Sequence, residues 1–287
     1  MAKNLIGIIG GSGLYAMEGL KVTEEKMVDT PYGRPSDAII LGTLEGKDIA
    51  FLPRHGRGHV IPPHEINFRA NIYALKSLGV ERIISVSAVG SMKENIHPGD
   101  IVIVDQFIDR TKVRQQTFFN DGIVAHVSFA DPVCPAMFER LSRSASNVGA
   151  KVHKGGTYIC IEGPMFSSRA ESNVYRSWGV DVIGMTNYQE AKLAREAEIC
   201  YATVALSTDY DCWHTSEEAV DAMKVVEVMG KNVATAKKII KDVLPNLPAE
   251  RNCPCATSLQ NAIVTDRAKI TAETRKRLKP IIGRYIE

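Results

Sequence analysis

The sequence predicts a single α/β domain with a mixed central β-sheet flanked by helices. Short runs rich in Ile and Val alternate along the chain with segments of helical periodicity, as expected of strands joined by crossover helices. The 287 residues, 45% of them hydrophobic, are enough to build one large core. We find no internal repeat or low-complexity tract, so residues 1–287 are treated as one domain.

The predicted strands are continuous apolar runs, typical of strands that are buried on both faces of a sheet. Leu5–Ile9 comes first and leads into a glycine-rich stretch. Asp37–Leu44 and Asp48–Leu52 flank Glu45-Gly46, which predicts a hairpin. Further strands are expected at residues 82–86, 100–104, 158–161, 180–184 and 199–206.

The predicted helices have the apolar spacing of amphipathic segments and lie at residues 67–78, 136–148, 168–178, 188–197 and about 216–243. The last of them is expected to take Thr215 or Ser216 as its N-cap and to end before Pro245. Residues 247–287 are richer in charged and turn residues, which suggests a C-terminal extension or a subunit arm.

Charge and hydropathy argue against several classes of partner. Lys and Arg number 35 and Asp and Glu number 33, so the net charge is 35 − 33 = +2, too even for the broad basic surface that nucleic acids require. The longest apolar runs are only a few residues, too short to cross a bilayer or to form a signal-peptide core. We expect a cytoplasmic protein with no nucleic-acid or membrane partner.

Three segments expected at strand ends carry groups suited to an oxyanion. A glycine loop after the first strand offers backbone amides and Ser12, although alone it fits a tight structural turn equally well. Arg54 and His55 end the hairpin, and a guanidinium can bind an oxyanion bidentately. Ser87 and Ala88 follow a further strand with a hydroxyl and free amides. Together they predict one shared phosphate pocket.

Two carboxylates and two apolar side chains predict a site for a planar base. Asp209 and Asp211 follow the strand at 199–206 with one residue between them, so on a strand end they would point the same way. Such a pair suits hydrogen bonds to a ring nitrogen and an exocyclic amine, and a charged helix start is the alternative. Phe166 and Met185 lie in other strand-end loops and could sandwich the base, or could be core residues.

Histidine and cysteine spacing argue against a metal centre. His55 and His59 have the spacing of a helical metal motif but lie in a glycine-rich loop. Cys253-Pro254-Cys255 lacks the second pair of ligands that zinc requires, so we expect two plain thiols, with a strained or redox-sensitive disulfide as the alternative. A serine nucleophile is also unsupported, because no G-x-S-x-G elbow occurs.

Six motifs, in their order along the chain, resemble those of the trimeric nucleoside phosphorylases. The motifs are G-G-S-G-L-Y, P-R-H-G-R-G-H, S-A-V-G-S, E-G-P-M-F-S-S-R-A-E-S, G-M-T-N and S-T-D-Y-D-C-W. The resemblance covers roughly residues 5–240, and residues 162–172 and 208–213 are its most specific parts. Within the family, the sequence is most similar to the branch that acts on 5′-methylthioadenosine.

The resemblance implies an enzyme that cleaves the glycosidic bond of 5′-methylthioadenosine with inorganic phosphate, in purine and methionine salvage. The products would be adenine and 5-methylthioribose 1-phosphate, and no metal or organic cofactor would be needed. It also implies a homotrimer or a dimer of trimers that binds a small nucleoside and phosphate. By position, the phosphate site would comprise Ser12, Arg54, His55, Ser87, Ala88 and Thr186.

The same resemblance assigns the nucleoside contacts. Met185 would lie under the ribose, and Phe166 would pack near the base. Asp209 and Asp211, the catalytic pair, would contact N7 and the 6-amino group. The 5′ substituent would lie against a residue of a neighbouring subunit and an apolar helix face, which together are His126, Ala222, Val225 and Val226.

Two positions separate adenine-specific from 6-oxopurine-specific members of this family. The chain has Asp209 and Ser167 where the 6-oxopurine enzymes typically carry Asn and Glu. An ionised carboxylate accepts a hydrogen bond from an amino group but cannot donate one to an oxo group, so adenine is favoured. Met165 and the pair Tyr188-Gln189 depart from the usual family residues, which leaves the breadth of substrates open.

The residues also leave rival functions open. A nucleosidase would use water in the same architecture, and a nucleotide sensor would bind without turnover. An NAD-dependent oxidoreductase built on Gly11-Ser12-Gly13 is disfavoured, because a full crossover helix and an acidic residue ending the second strand are missing.

Overall fold

The predicted mixed β-sheet forms the centre of the molecule. The computed structural model of the chain describes residues 4–14, 17–214 and 222–286, except the side chains of Ser12 and of residues 222–227. Within these ranges, 11 strands form one sheet. They are β1 (Leu5–Gly10), β2 (Lys21–Lys26), β3 (Ile39–Leu44), β4 (Lys47–Pro53), β5 (Val80–Ser91), β6 (Ile101–Ile103), β7 (Gln106–Arg110), β8 (Val152–Lys154), β9 (Thr157–Ile161), β10 (Val182–Gly184) and β11 (Cys200–Asp209).

The α-helices of the described ranges flank this sheet, which confirms the predicted fold class. They are α1 (Phe68–Ser77), α2 (Pro135–Asn147), α3 (Arg169–Ser177), α4 (Asn187–Glu196), α5 (Ala222–Val243) and α6 (Ala272–Ile286). None of these helices is long and apolar enough to cross a membrane.

Local side-chain caps explain where two of the predicted helices begin. Asn67 accepts a hydrogen bond from the backbone of Ala70 at 3.1 Å and so caps α1. Ser168 and Glu171 form a capping box at the start of α3. The predicted N-caps of the last long helix, Thr215 and Ser216, lie outside the described residues.

The order of the central strands brings several carboxyl ends to one edge of the sheet. β1 lies between β4 and β5 and is parallel to both. β11 is parallel to β5 on the other side of that strand. In open α/β sheets, ligands bind outside the carboxyl ends of the strands, and this edge is therefore where a site is expected.

The structure corrects the prediction that Ser87–Ser91 is a loop. These residues continue β5, whose early part runs between β1 and β11. Gly90 and Ser91 then pair antiparallel with β10. A Cβ on Gly90 would lie 3.0 Å from the Ile183 side chain, so the close approach of these two strands favours glycine. The small residues that indicated a loop instead permit tight strand packing.

Sequence reasoning missed the helix α6 and three strands at the periphery of the sheet, which are β2, β7 and β8. β2 is exposed at all six positions and pairs with β3 at the edge of the sheet. β8 has only three residues, of which none is buried. Neither segment has the apolar pattern that identifies a strand, because each is held by backbone pairing at the periphery.

The C-terminal segment packs into the core. Leu278 and Ile282 of α6 are buried in the same cluster as Ile72 and Leu75 of α1. The hydroxyl of Tyr73 donates to the carbonyl of Arg277 at 2.8 Å. The described part of residues 247–287 therefore shares its core with the rest of the chain.

Replacing Leu278 with alanine tests this packing. The side chain is fully buried, so Leu278→Ala should lower the free energy of unfolding by about 2–5 kcal/mol. Urea unfolding at a fixed protein concentration measures this free energy. The control is Lys276→Ala, on the exposed side of α6. A loss no larger than that of the control would contradict the shared core.

Candidate active site

A cavity of about 270 Å³ lies at the carboxyl edge of the central strands. It contains nine of the residues predicted from the sequence. Its lining includes Arg54, His55, Ser87, Ala88, Phe166, Met185, Thr186, Asp209 and Asp211. Gly11, from the glycine loop, and Met229, from α5, also contribute to the wall.

Strand register explains why the separate motifs converge. Gly10 pairs with Pro53 at the ends of β1 and β4. The backbone N–H of Arg54 donates to the carbonyl of Gly10 at 3.0 Å, which joins the glycine loop to the arginine loop. Ser87 lies one strand further along, in β5. The parallel order of β4, β1 and β5 therefore explains why the three predicted segments share one pocket.

Arg54 forms a buried ion pair with Glu190 of α4. Its Nε lies 2.5 Å from Oε1 of Glu190, both side chains are 2% exposed, and Nη2 donates to Oε2 at 3.1 Å. Nη1 donates to the carbonyl of Val86 at 2.8 Å. Burial alone would lower the pKa of Arg54, but the carboxylate of Glu190 raises it, so the guanidinium stays charged.

This geometry corrects the expectation that Arg54 binds an oxyanion bidentately. The two donors on one side of the guanidinium, Nε and Nη2, both donate to the carboxylate of Glu190. Arg54 is therefore a fixed positive charge at the pocket wall, and an Nη1 N–H is the group through which it can contact a ligand directly.

Glu190 is a site residue that sequence reasoning missed. It accepts hydrogen bonds from Ser85 at 2.8 Å and from Tyr201 at 2.9 Å, in addition to those from Arg54. Asn187 donates to Ser85 and to Tyr201, each at 2.8 Å, and so extends the network into the start of α4. The one signal in the sequence that could have identified Glu190 was a glutamate at a buried position of a helix, outside any motif.

His55 is held as a neutral imidazole. Its Nδ1 lies 2.9 Å from the carbonyl of Ile61, which can only accept, so Nδ1 carries the proton. Its ring stacks on that of His59 with centroids 4.1 Å apart. Burial, followed by the positive charge of Arg54, lowers the pKa of His55 to about 4. At neutral pH its Nε2 is therefore a hydrogen-bond acceptor.

Two hydroxyls face each other beside the arginine. The Oγ atoms of Ser87 and Thr186 are 3.5 Å apart, and both side chains are buried. Thr186 is the N-cap of α4, and its hydroxyl makes no capping hydrogen bond to the helix. The hydroxyl of Thr186 is therefore available beside the positive end of the helix.

The two predicted acids have different surroundings. Asp211 is buried, and its Oδ2 accepts from the hydroxyls of Ser167 at 2.7 Å and Ser172 at 2.5 Å. Asp209 ends β11 and is half-buried, and its Oδ2 accepts from Thr208 at 2.7 Å. Hydrogen bonds from hydroxyls to one oxygen orient each carboxylate within the pocket wall.

Phe166 and Met185 form the apolar part of the lining. Phe166 is 51% exposed, so this ring is not a core residue. Met185 packs against Gly163, where an added Cβ would lie 2.6 Å from its sulfur. The backbone of Gly163 has a φ of +67°, a second reason for glycine at that position.

The remaining predicted residues either lie outside this pocket or have side chains that the structure does not describe. His126 is exposed and lines a separate surface cavity with Asp105 and Arg195, so it does not reach the pocket of its own chain. The side chains of Ser12, Ala222, Val225 and Val226 are not described.

The structure overturns the argument that Cys253-Pro254-Cys255 lacks a second pair of ligands. The Sγ atoms of Cys134, Cys200, Cys253 and Cys255 all lie within 4.8 Å of one another. The fold supplies the missing pair from distant parts of the chain, which spacing cannot indicate. Over the described ranges, this is the one group of His, Cys, Asp and Glu side chains close enough to hold a metal ion.

Comparison with known proteins confirms the family that the motifs indicated. A model of the phosphorylase superfamily matches residues 5–245. The chain belongs to this superfamily. A Geobacter sulfurreducens protein named S-methyl-5′-thioadenosine phosphorylase is 59% identical over 285 residues, which cover 99% of this chain and 100% of the relative. A Koribacter versatilis protein of the same name is 56% identical, with 98% and 96% covered.

Solved structures of the superfamily share the fold. The crystal structure of a methylthioadenosine phosphorylase from an antarctic soil metagenomic library has a TM-score of 0.92 and 51% identity, with 98% of this chain and 99% of that chain covered. The Schistosoma mansoni methylthioadenosine phosphorylase in complex with adenine has a TM-score of 0.83 and 37% identity, with 88% and 93% covered.

A double-mutant cycle tests the buried ion pair. Arg54→Met and Glu190→Gln each leave one buried group without its partner, so each should lower the free energy of unfolding by about 3–5 kcal/mol. The double variant should lose less than the sum of the two, by at least about 1 kcal/mol. Urea unfolding measures all four proteins, and additive losses would contradict the pairing.

The pH dependence of stability tests the state of His55. Its folded pKa of about 4 lies below the ordinary 6.5, so the stability that depends on the neutral ring is complete above pH 6.5 and is lost as the pH falls toward 4. His55→Asn keeps a side-chain N–H but does not titrate. Between pH 7 and pH 5 the wild type should lose about 2 kcal/mol more than this variant. Equal losses would contradict a neutral, buried His55.

Proposed function

We propose that the chain is an S-methyl-5′-thioadenosine phosphorylase. It cleaves the glycosidic bond of 5′-methylthioadenosine with inorganic phosphate and forms adenine and 5-methylthioribose 1-phosphate, a reaction of purine and methionine salvage. The observation that carries the proposal is one cavity with a fixed cation and hydroxyls at one end and two oriented carboxylates at the other. The names of relatives that match along nearly the whole chain support it.

Phosphate binds beside Arg54. The positive charge attracts the anion, and the hydroxyls of Ser87 and Thr186 donate to its oxygens at the start of α4. The acceptor Nε2 of His55 takes a hydrogen bond from a protonated phosphate oxygen, which a charged imidazole could not do. By position in the sequence we also assign Ser12 and the backbone at Ala88 to this site, and no metal is required for it.

The purine binds with its N7 edge toward the two carboxylates. Asp211 accepts from the 6-amino group of adenine, and Asp209 shares a proton with N7. A 6-oxopurine would leave its oxo group facing an acceptor, and an unsatisfied buried polar group costs about 1–3 kcal/mol. Phe166 covers the base and Met185 supports the ribose. Adenine is therefore preferred to hypoxanthine.

The reaction separates charge along the cavity. The glycosidic bond breaks first, so its electron pair moves to the adenine and the sugar becomes oxocarbenium-like. Phosphate held beside Arg54 lies next to the anomeric carbon, stabilises its positive charge and then bonds to it. A proton from Asp209 neutralises the adenine at N7. Preorganised charges at both ends lower the barrier without a cofactor.

The 5′ end of the substrate requires a second subunit. His126 is exposed and does not line the pocket of its own chain, so we assign it to the site of a neighbour in a homotrimer or a dimer of trimers. By position in the sequence we assign Ala222, Val225 and Val226 to the same end, where an apolar face would suit a methylthio group. A cytoplasmic location stays a prediction.

Phosphate dependence tests the reaction. Adenine release from 5′-methylthioadenosine should require phosphate, and each adenine should appear together with one sugar 1-phosphate, measured by chromatography and phosphorus NMR. Inosine should react more slowly than adenosine. Adenine release at an unchanged rate without phosphate would instead identify a nucleosidase that uses water.

Replacing Asp209 with asparagine tests the purine contact. Asp209→Asn should lower kcat/KM for 5′-methylthioadenosine by roughly 10- to 100-fold, because the proton donor to N7 is lost. The loss for inosine should be smaller, because N7 and the 6-oxo group lie on the same edge of the purine, so an amide placed beside N7 can also donate to the 6-oxo oxygen. Asp48→Asn, at an exposed position of β4, is the control and should leave both values unchanged. Equal losses on both substrates would refute the assigned role.

A further inference from the structure

Four cysteines from three distant parts of the chain meet outside the candidate active site. Cys134 is the N-cap of α2, and Cys200 is the first residue of β11. Cys253 and Cys255 come from the segment that follows α5. Three of the four are 1% exposed, namely Cys134, Cys200 and Cys255, and Cys253 is half-buried.

The distances between the sulfurs fit a tetrahedral ion. All four Sγ atoms lie within 4.8 Å of one another. Zinc–thiolate bonds of about 2.3 Å in a tetrahedron place the sulfurs about 3.8 Å apart. The Sγ atoms of Cys200 and Cys253 are 3.3 Å apart, well beyond the roughly 2.05 Å of a disulfide. The four side chains thus enclose a space of the size that one zinc ion needs.

We propose that Cys134, Cys200, Cys253 and Cys255 bind one Zn²⁺ ion as a closed structural site. All four ligands are thiolates, a soft donor set that selects zinc over magnesium, calcium and manganese. Each thiol that ligates gives its proton to solvent, so the site carries four thiolates and one divalent cation. With four protein ligands there is no open position for substrate, so the ion has a structural role.

Cys134 lies at the start of the 13-residue helix α2, where the positive end of the helix dipole stabilises a thiolate.

The ion would fasten the C-terminal segment to the sheet and to α2. Beyond the cysteines, this segment pairs with the strand-like residues next to His126. The backbone N–H of His126 donates to the carbonyl of Ala262 at 2.8 Å, and that of Val264 donates to Val124 at 3.1 Å. Pro254, between the two cysteines, shares a cavity wall with His126. The site therefore supports the segment that carries His126.

Metal and thiol analysis of the full-length chain tests the proposal. The protein is purified without chelators and without a metal-affinity step. We expect about one zinc per chain by elemental analysis. All six cysteines should titrate as thiols only after denaturation with a chelator. Replacement of the ion by Co²⁺ should give the intense visible spectrum of tetrahedral cobalt thiolate.

Serine variants locate the ion. Cys253→Ser, at the half-buried ligand, and Cys255→Ser should each lose most of the zinc and the cobalt spectrum. They should also lower the midpoint of thermal unfolding by roughly 5 °C or more. Cys212→Ser, at a cysteine outside the cluster, is the matched control and should keep one zinc per chain. If a variant does not fold, the cobalt spectrum of the wild type still decides the question.

Several results would overturn the proposal. One is a disulfide among the four cysteines in the purified chain. A second is a fully reduced chain that fails to retain added Zn²⁺ or Co²⁺ through dialysis. Iron in place of zinc, or full zinc content in both cluster variants, would also refute it. None of these outcomes depends on the reaction at the candidate active site.

Discussion

The buried ion pair between Arg54 and Glu190 is the interaction on which the pocket depends. A single buried charge without a partner costs several kcal/mol, so each of these residues requires the other. Because Arg54 directly follows β4 and Glu190 lies in α4, the pair fixes the helix against the sheet, and with it Thr186 at the start of the helix. The positive charge is therefore in place before any anion binds, which is the preorganisation that transition-state stabilisation requires.

Strand β5 runs between the end of the cavity that holds the cation and the end that holds the two carboxylates. Ser87 follows Val86, whose carbonyl accepts a hydrogen bond from Arg54, and Gly90, further along the same strand, lies against Asp209 and Asp211. A Cβ on Gly90 would lie 3.1 Å from Oδ1 of Asp209, so glycine lets the carboxylate approach the strand. The distance between the anion end and the base end is thus set by a rigid β-strand. This rigidity suits a reaction in which a nucleophile and a leaving group must lie on opposite sides of one carbon.

Sequence reasoning predicted most of the buried strands and the site motifs, for a physical reason, but it did not predict the helix α6. The apolar runs of β1 and β11 and the capped helices α1 and α3 carry local signals. The edge strand β2 is exposed throughout and carries no such signal. Glu190 and the four-cysteine cluster were missed because each depends on partners more than 50 residues away, as in the contact of Cys200 with Cys253. Spacing in one sequence reports local geometry, whereas these contacts are created by the fold.

A crystal structure with phosphate and a non-hydrolysable analogue of 5′-methylthioadenosine tests the central claim most directly. The account predicts the anion within hydrogen-bond distance of Arg54, Ser87 and Thr186, and N7 of the purine within hydrogen-bond distance of Asp209. It also predicts His126 from a neighbouring subunit beside the 5′ substituent. An anion or a purine bound away from this cavity would contradict the account.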